Sequence, residues 1–113
     1  MRTYLPAILH AVPDTTVRIL WFPPVQAIRH NPQGSMYDSM FEACHRYVAS
    51  IAATSPNTLV LDFDIPGPIV DNRDLFWDPI HYRLMTADRI MHDIITVMSD
   101  PDARSPDYMV VSR

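Results

Sequence analysis

Two short apolar runs, "VRILWF" (17–22) and "TLVLDFD" (58–64), stand on either side of one amphipathic segment, "SMYDSMFEACHRYVASIAA" (35–53). This order restricts the fold more than any other feature of the chain. Continuous apolar, β-branched runs of this length read as buried strands of the parallel kind, with both faces covered. In the segment between them Tyr37, Met40, Phe41, Cys44, Tyr47, Val48 and Ile51 recur at helical spacing on one stripe. Ser35 suits the N-cap, and Asp38 at the third position reinforces the helix start. Pro23 and Pro24 stop the first run, and "SPN" (55–57) breaks the helix. A strand–helix–strand unit of this length implies parallel strands joined by a right-handed crossover.

The flanks extend this unit. "TYLPAILHA" (3–11) reads as a short helix ended by "VPD", and "QAIRHNPQG" as an irregular polar stretch. After the second run comes a loop, "IPGPIVDNRDLFW". A second amphipathic helix is expected from near Pro79 to Met98, with apolar positions at Leu84, Ala87, Ile90, Met91, Ile94, Ile95 and Met98. Residues 99–113 form a polar, proline-broken tail whose end, "YMVVSR", is either a last short strand or a frayed end. The order is helix, strand, helix, strand, helix, an α/β chain. Two parallel strands alone present unpaired edges. A third strand from the tail, a second copy, or sequence outside this chain is needed to cover them. Residues 1–113 are therefore expected to be a single but incomplete domain, completed as a homo-oligomer or by a complementing N-terminal half.

Size and composition set further bounds. At 113 residues and 13.0 kDa the chain makes about one domain, small for a complete enzyme. Apolar residues at 48% against 19% charged argue for a globular chain and against disorder. The net charge of -4, with nine scattered arginines and no lysine, gives no electrostatic reason to expect nucleic acid. No apolar run approaches the roughly 20 residues of a membrane span. "MRTYLPAILHAVPD" is interrupted by proline and reads as a helix entering the fold, not a signal peptide, so nothing here assigns a compartment. One cysteine excludes an intrachain disulfide and a tetrahedral thiolate zinc site. Eleven prolines against two glycines suggest that glycine-rich substrate loops are absent.

Chemistry concentrates in "WDPIHY" (77–82), where Asp78 stands three residues before His81. A histidine acting as general base needs a carboxylate on its other ring nitrogen, to fix the tautomer and stabilise the imidazolium. Asp followed by Pro is also an N-cap followed by the preferred first helical residue. On that reading Asp78 caps the last helix and His81 lies in its first turn. The two readings are compatible. The five histidines offer no pair facing one side of a helix, so neither metal nor cofactor is expected. Cys44 falls on the apolar stripe and reads as core. Asp62 and Asp64, at the end of the second run, could contact a ligand; such residues more often serve the following turn.

"LFWDPIHYRLMTADRIMHDI" resembles the C-terminal block of the SGNH (GDSL-type) hydrolase superfamily, in which an aromatic-flanked D-x-x-H precedes a terminal helix. The tyrosine after the histidine is similar to the branch of alginate acetyltransferase-like proteins and related bacterial esterase domains. The strand ending in proline, the long helix and the strand ahead of the block fit the same pattern, over residues 17–98. The resemblance implies a partial flavodoxin-like parallel sheet, Asp78 as orienting acid, His81 as base, and Trp77 and Tyr82 as substrate contacts. It also implies a small ester or acylated carbohydrate as substrate and, as in many relatives, a periplasmic setting. The G-D-S-type nucleophile motif, the glycine of the second block and the G-x-N-D-like segment are not in this chain. Ser35 and Ser39 are poor substitutes, since they fall at or inside a helix start and not at a strand-to-helix elbow. A base without nucleophile and oxyanion donors cannot run the superfamily's acyl transfer. The expected function is the acid/base segment of an ester hydrolase or acyltransferase. The alternative is a non-catalytic, self-associating α/β module.

Overall fold

The structure, a computed structural model, describes residues 4–113. Thr3, the first residue of the expected N-terminal helix, lies outside the described residues. The elements are α1 (Tyr4–His10), β1 (Arg18–Phe22), α2 (Met36–Ala53), β2 (Thr58–Asp62), α3 (Leu84–Ser99) and β3 (Met109–Ser112). Single 3-10 turns occupy Ala27–Arg29 and Arg73–Leu75. The strands form one sheet in the order β1-β2-β3. The Arg18 N–H donates to Asn57 O at one end of the β1–β2 ladder, and the Phe63 N–H to Phe22 O at the other. These two strands are therefore parallel, and β3 makes the sheet mixed. The C-terminal "YMVVSR" thus contains a third strand, which covers the second edge of β2.

The chain divides into two compact units. The first comprises Met1–Trp21, Asn31–Leu61 and Val110–Arg113; the second comprises Phe22–His30 and Asp62–Met109. In the first, Leu9, Val48, Ala52, Val60 and Leu61 are buried. β2, paired on both sides, is covered along nearly its whole length, as a continuous apolar run should be. β1, an edge strand, is not: Trp21 is exposed and the buried side chain is Arg18. Arg18 is tolerated there because its guanidinium donates to the carbonyls of Val12, Pro13 and Pro56, joining the end of α1 to the turn before β2.

α2 begins as its sequence dictates. Ser35 has extended backbone, and its Oγ accepts the Asp38 N–H at 3.2 Å. The Asp38 carboxylate reaches back past the N-cap to accept the Gly34 N–H at 2.8 Å, while the Ser35 N–H donates to Pro32 O at 3.0 Å. The burial of its apolar stripe differs from expectation. Only Val48 of the seven stripe residues is buried, Cys44 is half-buried and not core, and Met36, Tyr37, Met40 and Phe41 are exposed. Periodicity fixes which side of a helix is apolar but not how far along it a neighbour packs.

The second unit is built on α3 and buries Phe63, Ile69, Val70, Phe76, Ile90, Ile94, Val97 and Tyr108. Here the expected helix start near Pro79 is corrected. α3 begins at Leu84, its N-cap position is Arg83, and that residue makes no side-chain cap. Thr86 is buried and donates its hydroxyl to Leu75 O at 2.7 Å, anchoring the first turn of α3. Leu84, Met91, Ile95 and Met98, expected on the covered face, are exposed instead.

Candidate active site

The five residues before Tyr82 are a closed turn. Phe76 and Tyr82 pair as an isolated antiparallel bridge, and the Trp77 N–H donates to His81 O at 2.8 Å. Inside it, Asp78 Oδ1 accepts the N–H groups of Ile80 and His81, each at 2.9 Å. Asp78 therefore does not cap α3. It caps its own turn, because pairing 76 with 82 folds residues 77–81 back on themselves and leaves none of them free to start a helix. Pro79 suits this geometry, with its fixed φ and no N–H to satisfy.

The same carboxylate orients the histidine. Asp78 Oδ2 lies 2.6 Å from His81 Nδ1. Nε2 has no partner among the described residues. The pair is open to solvent, with the His81 side chain 66% and the Asp78 side chain 48% exposed. The Ile80 N–H first, and then the His81 ring, hold the Asp78 carboxyl below its ordinary value of 3.8, so it stays ionised beside the imidazole. The arrangement sets a carboxylate on one ring nitrogen and leaves the other unoccupied among the described residues.

The turn is anchored from two sides. The Gln26 N–H donates to Pro79 O at 2.9 Å, and the Gln26 side-chain amide to Asp78 O at 3.2 Å. Arg83 donates to Leu75 O through its backbone and to Phe76 O through Nε, and its guanidinium carbon sits 4.0 Å from the Trp77 ring centroid. A cavity of about 710 Å³ opens beside the turn, walled by Trp77, Asp78, Phe76, Ile28, Val70 and Arg73 among others. Trp77, a substrate contact on the resemblance, lines this cavity. Tyr82 is half-buried and is not among the cavity's walls. No serine, threonine or cysteine lines the cavity. Arg73 lines it, and its guanidinium makes no hydrogen bond or ion pair among the described residues.

A second histidine–carboxylate pair escaped sequence reasoning. His30 Nε2 lies 2.9 Å from Asp64 Oδ1, with Asp64 only 9% exposed. That oxygen also accepts the Val25 N–H at 2.9 Å. Asp64 therefore clamps residues 25–30, whose Gln26 in turn holds the 78–79 backbone. Asp62 serves the turn, as expected, by accepting the Asp64 N–H at 2.8 Å. The partners are 34 positions apart, so spacing gave no signal. The proline-rich exit from β1 and the acid-rich end of β2 were the available hints.

A third cluster sits at the base of α3. Arg89 grips the buried Asp107 with two bonds of 2.5 and 2.6 Å. Burial, and after it the Asp107 carboxylate, push Asp93 up to about 6. Asp93 Oδ2 itself is enclosed with no hydrogen-bond partner among the described residues, so burial is the cause that geometry supports more directly. Among the described residues no group of three or more His, Cys, Asp or Glu could hold a metal ion. None of the described helices is long and apolar enough to cross a membrane. Compared with protein-family models, curated proteins and solved structures, the chain matches none of them.

Proposed function

We propose that the chain is the C-terminal segment of an SGNH-type ester hydrolase or acyltransferase, with the flavodoxin-like strand order of that superfamily, acting on O-acyl esters such as acetylated carbohydrate. The carrying observation is the 2.6 Å contact between Asp78 and His81 Nδ1, which leaves Nε2 unpaired among the described residues. In this reading Nε2 takes the proton of a serine supplied by another chain and returns it to the leaving alkoxide. Asp78 holds the proton on Nδ1 and stabilises the imidazolium between the two steps. Trp77 and the adjoining cavity receive the substrate.

The test is turnover of an O-acetylated sugar, an alkyl ester, by this chain alone and with candidate N-terminal halves carrying a G-D-S motif. Turnover is expected only in the mixture and is expected to fall by 10³-fold or more in H81A, on the order seen when a triad member is removed. Mixture activity that survives H81A overturns the reading.

The exposed Met36, Tyr37, Met40 and Phe41 on α2 favour a second reading, a non-catalytic module that associates with its own copies. Size-exclusion chromatography with light scattering separates the two: a stable monomer with a well-dispersed spectrum counts against self-association.

A further inference from the structure

We propose that His81 is itself a nucleophile, so that this chain alone cleaves activated acyl esters through an acyl-imidazole, with no serine. The proposal rests on the same Asp78–His81 pair as the reading above but not on any partner chain. Three features of the turn carry it. With Nδ1 tied to Asp78 Oδ2 at 2.6 Å, the ring proton of the neutral imidazole sits on Nδ1 and the lone pair on Nε2. The side chain is 66% exposed, so that lone pair is accessible. The ring is also held still, because Asp78 Oδ1 takes two backbone N–H groups and Trp77 N–H closes the turn onto His81 O. His81 is not itself a wall of the cavity, but Asp78, which holds its ring, is; a fixed nucleophile so close to a cavity has an advantage over free imidazole that comes from position alone.

The cavity supplies the rest. Its walls include Asp78, which holds the ring, and Trp77, Phe76 and Ile28, which offer apolar surface to an aryl or acyl group. Arg73 on the same wall carries an unengaged guanidinium among the described residues, suited to a developing oxyanion. No other histidine combines these properties. His30 has its Nε2 on Asp64, His45 is half-buried with its Nε2 enclosed, and His10 and His92 are exposed with no carboxylate hydrogen bond among the described residues.

The steps balance without a co-reactant other than water. Nε2 adds to the acyl carbon and the carbonyl oxygen takes the negative charge. Collapse of this adduct breaks the C–O bond and expels the aryl oxide. The acyl-imidazolium, stabilised by Asp78, releases its Nδ1 proton to solvent. Water then adds to the acyl carbon, the C–N bond breaks, and a carboxylate, a proton and the neutral imidazole result. The net change is ester plus water to acid plus phenol. Imidazole expels aryl oxides readily and alkoxides poorly, so this activity is confined to activated esters.

The experiment is p-nitrophenyl acetate hydrolysis by the chain alone, with the acyl group trapped by rapid quenching and mapped by mass spectrometry. The expected second-order rate constant is about tenfold or more above that of free imidazole at the same pH. H81A and D78N are expected to remove that excess, while H10A/H92A keeps it. A rate no greater than free imidazole, or an excess that survives H81A, overturns the proposal. Where a variant fails to fold, the unmodified chain decides: acetyl on His81 supports the proposal, and acetyl spread over His10 and His92 overturns it. Failure here leaves the proposed acid/base role standing, because that role is read from alkyl-ester turnover in the mixture.

Discussion

The second unit contains two histidine–carboxylate pairs of similar length and opposite design. Asp78–His81 spans three residues, lies open to solvent, and binds the ring through Nδ1. His30–Asp64 spans 34 residues, is mostly buried, and binds the ring through Nε2. In the first, the carboxylate spends one oxygen on its own turn and the other on the ring, so Nε2 is left unpaired among the described residues. In the second, one carboxylate oxygen serves both a ring and the Val25 N–H, so the pair joins two distant segments. The two contacts are alike in distance; burial and the identity of the occupied nitrogen are what set them apart.

Removing the buried acid is expected to have the largest effect. Asp64→Ala leaves the Val25 N–H and the His30 ring without their acceptor, and is expected to cost about 2–3 kcal/mol in urea unfolding. His30→Ala, which spares the Val25 bond, is expected to cost about 1 kcal/mol in the same assay. A third carboxyl sharpens the contrast because its neighbour is an acid. Asp93 is raised from 3.8 to about 6 in the folded chain, so the folded state binds more protons between those values and stability falls as pH rises through that window. Since Asp93 is not fully enclosed, solvent screening reduces the penalty to about 1 kcal/mol, complete above about pH 6. Asp93→Asn is expected to recover it and to flatten the stability–pH curve there.

The smallest effect on stability belongs to the exposed pair. Asp78→Asn is expected to shift the unfolding midpoint less than any of these variants while lowering His81-dependent ester cleavage about tenfold. Asp78's folded value lies below 3.8, so its contribution is present above pH 3.8 and lost as pH falls through the lowered value. The His81 Nδ1–H resonance in proton NMR is accordingly expected to persist down to that acid range.

What could be read along the chain followed from distance in sequence. The Ser35–Asp38 cap and the Asp78–His81 pair join residues three apart, and local bonds need only local residues. The α3 start was misplaced because Asp-Pro suits a helix cap and an Asx turn equally well. Phe76 pairing with Tyr82 decided between them, and no periodicity announces one isolated bridge. The apolar stripe of α2 was legible as a stripe, yet its first two turns are exposed, because burial belongs to the neighbour as much as to the helix.

The sequence by itself therefore determined the α/β order, the parallel pairing of β1 with β2, the cap of α2 and the proximity of Asp78 to His81. Only the tertiary structure decided that β3 joins the sheet, that Asp64 takes His30, and that a cavity opens beside Trp77. The division has one physical cause. Hydrogen-bond geometry and side-chain period act over a few residues and are written in order along the chain. Closure of long loops is entropically costly, and which distant groups repay that cost depends on the packing of everything between them.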